Sequence, residues 1–113
     1  KNMPRVCVLL LDSLGVGASL DAPQYGDAGA NTLGHIEQYC AEGKADNDTR
    51  KGPLFIPNLC KRGLQNVVLA SSGTPLAGMS LNEKPESHWG YAVEKSAGKD
   101  TAVVIGKLPA FLF

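Results

Sequence analysis

The sequence predicts an α/β fold, with a mostly parallel sheet and flanking helices, from three observations. The run Val6–Leu11 is continuously apolar and rich in branched side chains, which is typical of a central strand covered on both faces. Two later segments show the apolar spacing of helices. The 13 glycines and 7 prolines are too many for a helix bundle and too few for a low-complexity chain, and they indicate shaped loops.

The length and charge of the chain restrict the classes of protein to which it can belong. Its 113 residues suit one small domain. The 11 basic and 11 acidic residues cancel, whereas a nucleic-acid binder or a polybasic membrane-surface segment has a basic excess. The longest apolar run is far shorter than the ~20 residues that cross a bilayer, and no signal peptide is recognisable. We therefore expect a soluble, cytoplasmic protein that binds neither nucleic acid nor membrane.

The first predicted strand ends at Asp12, which is followed by the glycine turn Gly15–Gly17. In open α/β sheets, ligands bind beyond the carboxyl ends of the strands, and Asp12 lies at such an end. Two interpretations stay open for its carboxylate. It caps the turn, or it supplies a hard oxygen ligand for Mg²⁺ or Mn²⁺.

The first predicted helix begins at Asn31 or Thr32 and ends near Gly43. Its apolar residues recur at helical spacing, with glutamates on the other side. The residues of that apolar face are Leu33, Ile36, Tyr39 and Cys40. The polar stretch Lys44–Gly52 is predicted to be a loop.

The second half of the chain is predicted to hold one short helix and two short strands. Pro57 begins the helix, which ends near Gly63. Val67–Leu69 is the second predicted strand, and Trp89–Val93 is the third. An extended loop over residues 71–87 separates these two strands.

A turn follows the third strand and ends in Thr101, after Gly98, Lys99 and Asp100. Two interpretations stay open for Thr101 as well. It is a turn residue that caps a helix, or its hydroxyl is a nucleophile or phosphoryl carrier. The second role requires a metal or a base, because an unactivated hydroxyl is a poor nucleophile at neutral pH.

The cysteines and histidines do not form a recognisable site. Cys7, Cys40 and Cys60 are odd in number and widely spaced, which fits neither a disulfide framework nor a zinc site. Each has apolar neighbours, so we expect buried thiols in a reducing compartment. His35 and His88 are not spaced as metal ligands and are interpreted as surface or capping residues.

Five blocks of sequence resemble, in order and spacing, the N-terminal part of phosphopentomutases, which are members of the alkaline phosphatase superfamily. The blocks are Leu11–Ala18, Tyr25–Ile36, Lys51–Leu54, Pro57–Leu59 and Ser96–Thr101. The resemblance implies that the fold is an incomplete fragment of an alkaline-phosphatase-like core. It also implies two regions: residues 1–101 as the N-terminal part of the catalytic domain, and residues 102–113 as a divergent apolar tail.

The resemblance further implies an activity and two site residues. The family interconverts the 1-phosphate and 5-phosphate of ribose and deoxyribose through a phosphothreonine enzyme and a bisphosphate intermediate, with two Mn²⁺ ions. Asp12 matches its first metal-binding aspartate. Thr101 matches the threonine that carries the phosphoryl group and lies at the metal centre. We therefore expect Asp12 and Thr101 to lie close together, with a small sugar phosphate as the substrate.

The sequence departs from the family after Thr101. The family's Ser/Thr-Gly-His-Trp-Glu stretch is replaced by residues 102–106, and its remaining metal ligands belong to a part that is not matched here. We therefore expect this chain to be inactive alone, or to need a second polypeptide that carries the missing ligands. Two alternatives stay open: another phosphomutase of the superfamily, such as cofactor-independent phosphoglycerate mutase, and a non-catalytic remnant that binds a partner.

Overall fold

A computed structural model describes most of the chain: residues 3–11, 14–18, 22–26, 28–79, 81, 84–92 and the backbone of 110–112. A short 3₁₀ helix spans Ala22–Tyr25. The regular elements that follow are α1 (Thr32–Ala41), α2 (Pro57–Lys61), α3 (Leu64–Ser72), β1 (Trp89–Tyr91) and β2 (Ala110–Leu112). No helix in this part of the chain is long and apolar enough to cross a membrane.

Helix α1 confirms the predicted first helix and both of its boundaries. The Asn31 side chain accepts a hydrogen bond from the Gly34 amide at 3.2 Å, which satisfies one of the free amides of the first turn. Gly43 follows the last turn with φ of 72°, and its amide donates to the Cys40 carbonyl at 3.0 Å. A residue with positive φ at this position is the usual end of a helix. The polar loop after α1 is also observed.

Helix α2 begins at Pro57 as predicted, and Gly63 separates it from α3 with φ of 108°. The predicted second strand, Val67–Leu69, is wrong because these residues lie in α3. The buried residues Leu64, Val67 and Val68 have the i, i+3, i+4 spacing of a helix face. A short apolar run is ambiguous between strand and buried helix, and here packing selects the helix.

Residues 3–11 do not form the predicted first strand. They adopt neither helix nor strand, and their side chains are exposed. A strand is stabilised by hydrogen bonds to its neighbours and by burial of its faces, and no described strand pairs with this segment. The run Val6–Leu11 has the composition of a central strand but lacks the neighbours that would make it one.

The sheet of the described residues is one antiparallel pair, β1 with β2. Trp89 lies opposite Leu112, and Tyr91 lies opposite Ala110. The predicted third strand is confirmed over Trp89–Tyr91, and the strand in the apolar tail was not expected. The mostly parallel sheet and the boundary after residue 101 stay predictions, because this pair tests neither.

A small core joins the glycine loop at residues 14–17 to α1, α3 and the loop after α3. Its buried members are Val16, Leu33, Leu64, Val67, Val68 and Leu76. The buried Gln65 side chain fastens the loop after α3 to this core. Its amide group donates to the Leu76 carbonyl at 2.9 Å and accepts from the Leu76 amide at 3.2 Å. All the hydrogen-bonding groups of this buried side chain are thereby used close to one short loop.

Candidate functional site

The two residues predicted to form the site, Asp12 and Thr101, both lie outside the described residues. Their expected proximity therefore stays a prediction. The structure does describe the loop that follows Asp12, residues 14–18, and the elements that hold it. The hydrogen bonds and packing of this loop can therefore be described, and it is the part of the candidate site that the structure contains.

The glycine loop is fastened to the first turn of α1. The Asn31 Oδ1 atom accepts from the Gly17 amide and from the Gly34 amide, each at 3.2 Å. The Leu33 amide donates to the Gly15 carbonyl at 3.0 Å. One asparagine side chain thus caps the helix and holds the loop, so that helix start and loop form one unit.

The same loop is fastened to α3 on its other side. Ser71 Oγ donates to the Val16 carbonyl at 2.7 Å, and the Val16 side chain is buried in the core. Gly17 has φ of 81°, and a Cβ atom placed there would lie 3.2 Å from Ser71 Oγ. Only glycine suits both the backbone conformation and the space. The loop at residues 14–18 is therefore held by two helices, a precondition for a precisely placed ligand beside it.

The described residues do not supply a metal site by themselves. Among them, no group of three His, Cys, Asp or Glu side chains is placed to hold an ion. In the acidic stretch after α1, the side-chain oxygens accept hydrogen bonds from amides of the same loop. Asp46 Oδ1 accepts from the Gly52 amide, and Asn47 Oδ1 accepts from the amides of Thr49 and Arg50. These oxygens stabilise a loop, which is the common role of Asx side chains in turns.

A shallow apolar groove of about 380 Å³ lies beside α2, away from the glycine loop. Its lining residues are Leu54, Phe55, Ile56, Pro57, Cys60, Lys61, Gly78, Met79 and Leu81. The Cys60 thiol lies 3.5 Å from the Met79 sulfur, and burial raises the pKa of this thiol. A protonated thiol against a thioether is a packing contact rather than a reactive centre.

The prediction of buried thiols is only partly right. Cys40 is buried and Cys60 is half-buried, but Cys7 is exposed because it belongs to the unpaired segment 3–11. None of the three forms a disulfide. Cys40 and Cys60 contribute to packing in the helical part of the chain.

The sequence pattern did not reveal two of the bonds that hold the glycine loop. It identified Asn31 as a helix cap, but not its second bond to Gly17, and it did not identify Ser71. The cap was recognisable because its partner is three residues away. The bonds from Asn31 to Gly17 and from Ser71 to Val16 join residues 14 and 55 positions apart, and no local pattern marks them.

Comparison with known proteins finds relatives named phosphopentomutase. The chain is 57% identical over 98 residues to the phosphopentomutase of Legionella pneumophila strain Paris and 54% identical over 99 residues to that of Tolumonas auensis. It is 52% identical over 99 residues to that of Proteus mirabilis. These matches cover 86–88% of this chain but 24% of each relative, so the chain spans about a quarter of their length.

No family model and no solved structure matches the chain. The resemblance to the N-terminal part of phosphopentomutases is nevertheless confirmed, as a partial match, by curated relatives at about half identity or more.

Proposed function

We propose that this chain forms the N-terminal part of the catalytic domain of a phosphopentomutase, an isomerase that acts on pentose phosphates in the cytoplasm. The observation that carries the proposal is the 57% identity over 98 residues to a protein of that name. Because the match covers 24% of that relative, the activity belongs to a longer assembly rather than to this chain alone.

Asp12 is assigned as a metal ligand, and Thr101 as the phosphoryl carrier at the same centre. The structure supports the first assignment indirectly, through the loop that begins two residues after Asp12. Asn31 and Ser71 hold that loop at Gly17 and Val16. A carboxylate beside an anchored loop keeps its position without large entropic cost on binding an ion.

In this proposal Thr101 moves the phosphoryl group twice. Phospho-Thr101 gives its phosphoryl group to the free hydroxyl of the sugar monophosphate, so one P–O bond to threonine breaks and one to the sugar forms. The bisphosphate then returns its other phosphoryl group to the Thr101 hydroxyl. The isomerised sugar phosphate leaves, and the enzyme is again phosphorylated.

The metal part of the proposal is two Mn²⁺ ions, as the family resemblance implies. Such ions neutralise charge on a transferring phosphoryl group when they are bound. Each takes about six ligands, and the described residues provide no cluster of even three suitable side chains. We propose that the family's remaining ligands belong to the part that this chain does not match and are supplied by a second polypeptide, so we expect this chain to be inactive alone.

The fold is proposed to be a mostly parallel α/β sheet, completed by the part of the relatives that this chain does not match. Residues 3–11 are the segment that we expect to join that sheet. They are exposed and unpaired among the described residues, yet Val6–Leu11 has the composition of a strand covered on both faces. Supplying neighbouring strands is expected to turn this segment into one strand of the larger sheet.

A chimera is the direct test. Residues 1–101 of this chain replace the matching quarter of the Legionella pneumophila relative, and ribose 1-phosphate conversion to ribose 5-phosphate is measured with Mn²⁺ present. The chimera is expected to be active. Asp12→Asn and Thr101→Ala are expected to abolish the activity, whereas Asp48→Asn, in an exposed turn, leaves it unchanged.

Two further measurements decide between the alternatives. Phosphate retained on Thr101 after substrate treatment supports the pentomutase, whereas phosphate on a serine supports a phosphoglycerate-mutase type of enzyme. A chimera that is folded by circular dichroism but inactive contradicts the proposal. Robust Mn²⁺-dependent isomerisation by the 113-residue chain alone contradicts the part that assigns the missing ligands elsewhere.

A further inference from the structure

The peptide group between Val16 and Gly17 is held from both sides. Its carbonyl oxygen accepts a hydrogen bond from Ser71 Oγ at 2.7 Å, and its amide donates to Asn31 Oδ1 at 3.2 Å. In a trans peptide these two groups point in opposite directions, so the two anchors lie on opposite sides of the peptide. Ser71 belongs to the last turn of α3, and Asn31 caps α1. The orientation of this peptide plane is therefore set by two different helices.

Ser71 and Ser72 are adjacent, half-buried serines whose hydroxyls make different bonds. Ser72 Oγ lies 2.7 Å from the Val68 carbonyl, four residues earlier in the same helix, and 2.9 Å from the Thr74 carbonyl. A bond to the carbonyl four residues earlier is a common one for a serine in a helix. Ser71 Oγ instead donates to the Val16 carbonyl, 55 positions away in the sequence. The Ser71 hydroxyl therefore serves the glycine loop, whereas the Ser72 hydroxyl serves the end of its own helix.

Loss of the Ser71 hydroxyl leaves the peptide plane with one anchor instead of two. The Val16 side chain is buried in the core, which fixes the residue but not the direction of its carbonyl. Gly17 follows with φ of 81°, and a glycine adopts positive and negative φ about equally readily. Rotation of the peptide is therefore opposed mainly by the two hydrogen bonds. Ser71 holds the loop in one conformation through the Val16 carbonyl.

We propose that Ser71 is a positioning residue for the phosphoryl transfer assigned above. The inference rests on the proposed function, in which Asp12 acts at the reaction centre, and the loop at residues 14–18 begins two residues after Asp12 in the sequence. Ser71 takes no chemical step itself and acts through the backbone of this loop. A group that reacts through precise geometry loses rate when a supporting contact away from the chemistry is removed. Asn31 holds the same peptide, but it also caps α1, so its substitution does not separate positioning from stability.

Substitution of the two serines in the chimera described above separates positioning from stability. Ser71→Ala and Ser72→Ala each keep the Cβ atom and remove one hydroxyl from the same helical turn, so both are expected to lower the melting temperature by a similar amount. Ser71→Ala is expected to lower kcat about tenfold with the KM for ribose 1-phosphate unchanged, because only the reacting geometry is affected. Ser72→Ala is expected to keep kcat. Ser71→Thr retains the hydroxyl and is expected to keep most of the activity.

Hydrogen exchange followed by mass spectrometry examines the loop independently of activity. The peptide that contains Gly17 is expected to exchange several-fold faster in Ser71→Ala than in Ser72→Ala, because the loop opens more often. Equal exchange in the two variants overturns the proposal, and so does an equal kcat. A Ser71→Thr chimera as slow as Ser71→Ala overturns the role of the hydroxyl. Each of these results leaves the proposed function in place, whereas an inactive unsubstituted chimera contradicts the proposed function and the positioning role with it.

Discussion

The Oδ1 atom of Asn31 accepts a hydrogen bond from the Gly17 amide at 3.2 Å, and the same oxygen accepts one from the Gly34 amide in the first turn of α1. Two glycines far apart in sequence thus meet at one acceptor. Gly34 has a steric reason to be glycine as well, because a Cβ atom there would lie 2.7 Å from Asn31 Cγ. The start of α1 and the loop after Asp12 depend on this one side chain.

Asn31→Ala is expected to lower the free energy of unfolding by about 1–2 kcal/mol, the upper part of the range for loss of a helix cap. The loss is expected to be in that upper part because two amides lose their acceptor. Asn31→Asp keeps the oxygen and places negative charge at a helix N-terminus, so its stability is expected to match that of the unsubstituted chain. Urea unfolding followed by circular dichroism measures both. Equal loss in the two variants would show that the acceptor is unimportant.

Gly17→Ala is expected to destabilise the chain more than Gly26→Ala, by about 1 kcal/mol. Both glycines have positive φ, 81° and 75°, and so carry a similar backbone cost. Gly26 has no atom within 4 Å of an added Cβ, whereas at Gly17 the added atom meets Ser71 Oγ at 3.2 Å. Relief of that contact weakens the bond from Ser71 to Val16. Thermal unfolding of the two variants compares them, and equal losses would mean that the backbone cost alone matters.

Gly63→Ala is expected to cost about 2–3 kcal/mol, as overpacking in a filled space does. The added Cβ atom would lie 2.7 Å from Trp89 Cδ1, so the indole ring must move. Gly52→Ala is the matched control, since φ there is also positive, at 87°, and nothing lies within 4 Å. Tryptophan fluorescence is expected to change in Gly63→Ala and not in Gly52→Ala. An unchanged emission spectrum in Gly63→Ala would mean that Trp89 does not contact this glycine.

Gln65→Leu is expected to lower the free energy of unfolding by about 1–3 kcal/mol, because it leaves the buried Leu76 amide without an acceptor. The Leu76 and Met79 carbonyls also lose their donor. Gln38→Leu is the control, because Gln38 is exposed and its side chain donates to the Glu42 carboxylate at the surface. Limited proteolysis is expected to cut the loop at residues 74–79 faster in Gln65→Leu only. No difference between the two variants would remove Gln65 as the anchor of this loop.

Stability is expected to decline at alkaline pH partly through Cys60. Burial raises the pKa of this thiol in the folded chain. The unfolded chain therefore releases the thiol proton at lower pH than the folded chain. The contribution of the protonated thiol to the free energy of unfolding is fully present below the ordinary thiol pKa, and it is lost as pH rises through the folded pKa. Urea unfolding across mildly alkaline pH is expected to show a shallower decline in Cys60→Ser.

The matched control for this pH effect is Cys7→Ser, since Cys7 is exposed. It is expected to keep the full alkaline decline. A Cys60→Ser chain whose stability falls as steeply as that of the unsubstituted chain would contradict the assignment of the effect to this thiol.

Local patterns predicted the elements that depend on near neighbours. The sequence predicts both ends of helix α1, because Asn31 and Gly43 form their hydrogen bonds to residues less than four positions away in the chain. The start of α2 at Pro57 and the strand at Trp89–Tyr91 were also predicted. Two strands were predicted wrongly for different reasons. Val67–Leu69 has too few residues for its periodicity to be decisive, and Val6–Leu11 lacks described neighbours.

The sequence by itself determined the helix boundaries of the first half, the resemblance to phosphopentomutases and the choice of Asp12 and Thr101 as candidate site residues. Only the tertiary structure decided that the loop after Asp12 is fastened by Asn31 and Ser71, and that β2 pairs with β1. The physical reason is the distance along the chain between the residues that interact. A cap or a turn is stabilised by atoms a few residues away. The partners of Gly17, Val16 and β1 are distant in sequence and come into contact only when the core forms.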